Sequence, residues 1–148
     1  METKPGRNML AKPTRAPKDT KRAAPDPKAV ARAYLDAFGR KQFDRLERLL
    51  HPDIDFRGPS GSLHGARDFI AALRRMAPVL LRTKIKRIFV EGDEAFVRYD
   101  LVTATPVGPV STVELLKIQD GRVRSSWLLF DQTAWAAALQ ESSRHATD

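Results

Sequence analysis

The sequence predicts an α+β domain, a cone-shaped curved antiparallel sheet covered by three N-terminal helices. Three observations lead there. Apolar stripes at helical spacing fill most of residues 27–77, strand-like runs fill most of 82–130, and glycine-bearing turns separate those runs. A chain of 148 residues is expected to form one domain with a real core.

Asp26-Pro27 marks the first helix start, with aspartate as the N-cap and proline at the first helical position. Val30, Tyr34, Ala37 and Phe38 then share one stripe, and Gly39 suits a C-cap. "QFDRLERLL" predicts a second short helix, with Phe43, Leu46, Leu49 and Leu50 facing inward. "HPDIDFRG" reads as a loop running into a short strand at Ile54 and Phe56. The turn-rich "GPSGSLHG" lacks the GK[ST] ending of a phosphate-cradling loop, which argues against nucleotide binding. "ARDFIAALRRMA" predicts a third helix (Phe69, Ile70, Leu73, Met76) that stops near Pro78. Strands follow at 82–90, 94–105, 110–119 and 122–130, with turns at "EGD", "TPVGP" and "QDG". "QTAWAAALQ" predicts a short closing helix.

Charge divides the chain. Residues 1–28 hold eight Lys/Arg against Glu2, Asp19 and Asp26, a net of +5; the other 120 hold 18 against 15, a net of +3. The proline-rich segment 1–28 has no aromatic residue and too little apolar surface to offset the entropy of ordering, so it is expected to be disordered, as are 141–148. The folded domain is expected over 29–140. The tail suits either a solubilising extension or an arm for an anionic surface, and any nucleic-acid contact would run through it. With no cysteine, neither disulfides nor thiolate-bound zinc can hold the fold, which suits a cytoplasmic protein. No apolar run approaches the roughly 18 residues of a membrane span, so no membrane partner is expected.

In "FVRYDLVTA" (96–104), Arg98 and Asp100 share a strand side with Phe96, Val102 and Ala104. In 110–119, Glu114 shares a side with Val110, Thr112, Leu116 and Ile118. A hairpin centred on Val107 would set Asp100 opposite Glu114, and one centred on Pro106 would set Arg98 there. A turn with an even number of residues would break this alignment. One arginine with two carboxylates makes either an acid/base site or a structural ion network. His51, Asp53 and Asp55 lie in a polar loop with no further ligand placed by the sequence, so neither metal nor cofactor is expected.

"AVARAYLDAFGRKQFDRLERLLHPDIDFRGPSG", "LHGARDFIAAL", "VEGDEAFVRYDL" and "IQDGRVRSSWLLFD", in this order, resemble the SnoaL-like branch of the nuclear transport factor 2-like superfamily. That resemblance implies a deep, mostly apolar pocket between sheet and helices. Arg98 and Asp100 match the Arg-x-Asp of its limonene epoxide hydrolases. There, the arginine bridges carboxylates and the aspartate protonates the epoxide oxygen. That family's water-activating aspartate falls at Leu128, however, and its water-positioning Tyr and Asn at Phe56 and Gly58. Compared with ketosteroid isomerases, Tyr34 matches the oxyanion-hole tyrosine and Glu114 the protonated acid, while the proton-abstracting aspartate falls at Gly58. Both families' decisive bases are therefore replaced.

The resulting expectation is a small, largely apolar ligand held by Tyr34, Phe56, Phe96, Val102, Thr112, Leu116, Leu128 and Phe130, with Arg98, Asp100 and Glu114 as the polar set. The protein would be an enzyme of isomerase, cyclase or hydrolase type, a non-catalytic binder, or an interaction module with a basic arm. The other sheet face, expected to carry Val97, Tyr99, Leu101, Val113, Leu115, Trp127 and Leu129, would pair in a homodimer.

Overall fold

The computed structural model describes residues 25–137 and 140; of the segments expected to be disordered, 1–24 and 141–148 lie outside the described residues, while Pro27 and Lys28 already belong to the first helix because the Asp26 cap starts it there. Helix α1 (Pro27–Gly39) begins as its sequence predicts, with the Asp26 side chain accepting from the Lys28 N–H and Pro27 in the first turn. Gly39 has a different role from the one expected. Arg40 is the C-cap, and Gly39 is a point of close approach between α1 and the sheet. A Cβ there would lie 2.6 Å from Thr83 Oγ1 and 2.9 Å from Thr83 N. Thr83 Oγ1 also donates to the Leu35 carbonyl at 2.9 Å, so helix and strand are joined at this spot.

Helix α2 (Phe43–Leu49) runs directly into strand β1 (Leu50–Gly58), which is longer than the sequence suggests. The turn-rich stretch then forms a hairpin with the short β2 (Gly61–His64). Helix α3 (Ala66–Met76) buries Phe69, Ile70 and Leu73. After a single 3-10 turn at Ala77–Val79 come β3 (Leu80–Glu91), β4 (Glu94–Thr103), β5 (Pro109–Gln119) and β6 (Arg122–Phe130). A last helical stretch covers 132–137, where the Asp131 carboxylate accepts from the Thr133 and Ala134 N–H groups.

The helices pack against one curved, unclosed sheet of order β2-β1-β6-β5-β4-β3. Its long strands form the expected antiparallel meander, and Asp120-Gly121 turns β5 into β6 with both residues at positive φ. The exception is β1, which lies parallel to β6, Phe56 opposite Ser126. Register shifts in β3 after Leu80 and Ile85, and between β5 and β6 near Lys117, provide the irregularities that bend a sheet. Tyr34, Leu35 and Phe38 of α1 and Phe69 and Leu73 of α3 fill the concave side. Among the described residues, no helix is long and apolar enough to cross a membrane.

Candidate functional site

The parity of one hairpin decides which side chains face the hollow. Val102 pairs with Pro109, which leaves six residues between the last paired positions of β4 and β5. This even number sets Val97 opposite Glu114 and Arg98 opposite Val113. The inner face of β4 therefore carries Ala95, Val97, Tyr99 and Leu101, all buried. Phe96, Arg98, Asp100 and Val102 face outward. The expected convergence of Arg98 and Asp100 with Glu114 does not occur. Asp100 instead lies 3.6 Å from Lys86 Nζ, and Arg98 stands directly across from Arg87.

Glu114 is 1% exposed and is the buried carboxylate of the core. It meets three hydroxyls rather than a cation. Tyr34 OH donates to Oε2 at 2.8 Å, Ser126 Oγ to Oε2 at 2.5 Å, and Tyr99 OH to Oε1 at 2.8 Å. Three elements deliver them: the stripe of α1 brings Tyr34, the adjacent strand β4 brings Tyr99, and β6 brings Ser126, diagonal to Glu114. Burial raises the Glu114 pKa above the ordinary carboxyl value, and the Ser126, Tyr34 and Tyr99 hydroxyls oppose that rise. Burial, then the neighbouring Glu114, pushes the Tyr34 and Tyr99 hydroxyls well above the usual phenol range.

Of these groups, Tyr34, Tyr99 and Glu114 line the buried base of a cavity of about 430 Å³, within the range of roughly 300–1,000 Å³ typical of small-ligand sites. Tyr34, Phe56, Leu128 and Phe130, each singled out from the sequence, stand in its wall, joined by Phe38, Phe69, Leu73 and Trp135. Phe56 stacks on Phe69 at 4.8 Å between ring centroids, and Phe130 meets Trp135 edge-on at 6.1 Å. Thr112 and Leu116 are buried on the same face but contribute to the core rather than to the wall; Thr112 Oγ1 donates to the Val110 carbonyl. Phe96 and Val102 cannot reach the cavity, because the register turns them outward. Gly58 is also in the wall, where a Cβ would come within 2.9 Å of the Phe56 ring, so Phe56 fills the space a longer side chain there would need.

Sequence reasoning missed Tyr99, Ser126 and Arg75 of the lining helix. The signal for Tyr99 was available: the side of its strand without charges is the side a core selects.

The outer face corrects a second expectation. Val97, Tyr99 and Leu101 are absent from it, and Phe89 and Phe96 take their place beside Val113, Leu115, Trp127 and Leu129. One row crosses the sheet as Phe89, Phe96, Leu115, Trp127 and Arg57, with the Arg57 guanidinium 4.6 Å from the Trp127 ring centre. Near one end of this face, His64 Nδ1 contacts Asp55 at 2.7 Å, and Arg124 reaches the same carboxylate at 3.3 Å. His64, followed by Arg124, holds the Asp55 carboxyl below its usual range. Among the described residues, no three His, Asp or Glu side chains form a group able to hold a metal ion.

Comparison with known proteins places this geometry. A family model described as SnoaL-like domain matches residues 31–126. A solved structure from Kribbella flavida DSM 17836 shares 27% identity at a TM-score of 0.71, covering 78% of this chain and 95% of that one. An NTF2-like protein of unknown function from Cytophaga hutchinsonii is 16% identical at a TM-score of 0.65, over 75% and 95% of the two chains. An LEH-like epoxide hydrolase of M. tuberculosis is 20% identical at a TM-score of 0.64, over 82% and 94%. The last two likenesses show the shared NTF2-like fold. No curated protein matches the sequence.

Proposed function

The chain belongs to the SnoaL-like domain family, and from that premise we propose that its inner cavity binds a compact, largely apolar molecule presenting one carbonyl or hydroxyl oxygen to Tyr34, Tyr99 and Glu114. The observation that carries this reading is the hydrogen count of the cluster. Three hydrogen bonds join Glu114 to three hydroxyls. With Glu114 protonated, the four groups hold four hydrogens, and one O–H remains to be donated to a ligand. With Glu114 ionised, all three remaining hydrogens are engaged. Burial without a facing cation favours the protonated state.

A donor fixed in such a water-poor pocket polarises a carbonyl and stabilises negative charge developing on its oxygen. Removing a proton from carbon needs a separate base. Among the described residues, the wall has no second carboxylate and no histidine. The lining thus supports binding and polarisation, and any isomerisation, cyclisation or hydrolysis would need its proton acceptor from water or from the ligand itself.

Fluorescence titration with 2-naphthol and naphthalene tests the reading. The wild-type chain should prefer the phenol by roughly 3- to 10-fold, the worth of one neutral hydrogen bond, and replacing all three lining donors together (Glu114→Leu, Tyr34→Phe and Tyr99→Phe) should erase the preference. Equal affinities in the wild type, or no binding of either probe, would overturn it.

We further propose that the outer face is covered by a second copy of this chain. Leu129, Trp127, Phe96 and Phe89 are 51%, 45%, 40% and 57% exposed and adjoin across the sheet. Charge favours a self-complementary match: Glu91 and Glu94 pair at one end of β3–β4, while Arg82 and Lys84 stand toward the other. A twofold axis crossing the strands lays the acidic end of one copy over the basic end of the other.

A further inference from the structure

Resting on that pocket reading, we infer that the ligand is a monoanionic amphiphile, a hydroxy- or oxo-carboxylic acid whose carboxylate is held at the cavity mouth by Arg75. The two ends of the cavity differ in a way that selects such a molecule. At the base, the Tyr34–Glu114–Tyr99 cluster is buried and, with Glu114 protonated, carries no formal charge. At the mouth, Arg75 is exposed at the last turn of α3 and shares the cavity wall with the Gly58–Ser62 hairpin turn. It is the one cationic side chain among the described residues of the wall. Its helix neighbour Arg74 is oriented elsewhere, with its guanidinium 4.4 Å from the centre of the Phe43 ring.

The charge balance therefore depends on the same proton as the oxygen site. While Glu114 keeps that proton, the lined space holds a single positive charge, and no carboxylate among the described residues lies within ion-pair distance of Arg75. A planar guanidinium grips a carboxylate through two parallel N–H···O bonds. One guanidinium balances one negative charge, so a monoanion fits where a dianionic phosphate would remain half-compensated beside apolar walls. Phe38, Phe56, Phe69 and Leu128, which line the same cavity, favour an apolar, ring-bearing body.

Four matched probes test this: 6-hydroxy-2-naphthoate, its methyl ester, 2-naphthoate and 2-naphthol. The wild-type chain should bind the hydroxy acid about tenfold more tightly than its neutral ester, and added salt should shrink that ratio. Arg75→Gln should bring the ratio to about one, with 2-naphthol binding by the same variant reporting an intact pocket. Equal binding of acid and ester by the wild type, or an unchanged ratio in the variant, overturns the anion site while 2-naphthol binding keeps the oxygen site standing. If 2-naphthol and the hydroxy acid both fail to bind, the pocket reading falls, and this inference with it.

Discussion

The two faces of the β4–β5 hairpin hold charge by opposite means. Outside, Arg98 and Asp100 alternate with Phe96 and Val102, and each charged group remains within reach of water or of a surface partner such as Lys86. Inside, one carboxyl group is almost wholly buried and is met by three hydroxyls in place of a cation. The outer arrangement tolerates substitution because solvent can replace any lost partner. The inner one cannot, since an unpaired polar group there bears its full desolvation cost. A charge on a strand is thus informative about a site only once its face is known.

The largest expected effect uses a pair of identical neighbours. Leu116 is fully buried and Leu115 faces outward. Leu116→Ala should cost about 2–5 kcal/mol in denaturant unfolding, and Leu115→Ala under about 1 kcal/mol in the dissociated chain. Similar costs at both sites would erase the distinction between the faces. Next, Phe96→Asp should convert a dimer to a monomer in sedimentation while leaving the circular dichroism spectrum of the fold unchanged. A wild-type chain that sediments as a monomer ends the pairing proposal.

Glu114→Gln sharpens the inner side. Below pH 4.5, the ordinary value for this carboxyl, folded and unfolded chains are both protonated there, and the stability of the fold is undiminished by this group. As pH rises past that value, the unfolded chain releases its proton first, so wild-type stability falls until the raised folded pKa is passed. The stability of wild type relative to Glu114→Gln should therefore decline as pH rises above 4.5. A flat difference would show that Glu114 is not a neutral buried acid. The smallest effect belongs to Arg98→Ala. It should change stability by no more than about 0.5 kcal/mol, tending toward a gain because Arg87 stands opposite.

Much of the architecture was legible because it is written in local chemistry. Asp26-Pro27 announces a helix start, the apolar stripes mark three helices, and "EGD" and "QDG" close hairpins. Tyr34, Phe56, Leu128 and Phe130 were readable as pocket candidates from the stripes and the family resemblance. The position of Arg98 and Asp100 was not, because "TPVGP" carries no two-residue turn signature, so its length and parity depend on tertiary contacts. Ala104 N donates to the carbonyl of Val79, and Thr103 Oγ1 to that of Gly108, bonds that no local pattern specifies. The parallel contact of β1 with β6 was hidden for the same reason: nothing in "HPDIDFRG" names a partner seventy residues away.

That contact has a consequence for how the chain is made. Until β6 leaves the ribosome, β1 lacks its neighbour on one edge, and Glu114 lacks Ser126. The helices and first hairpin must wait, with greasy surface uncovered, until synthesis has passed Phe130. β6 is accordingly the clasp of nascent-chain folding, and a chain terminated before it is expected to expose apolar surface and aggregate rather than form a smaller domain.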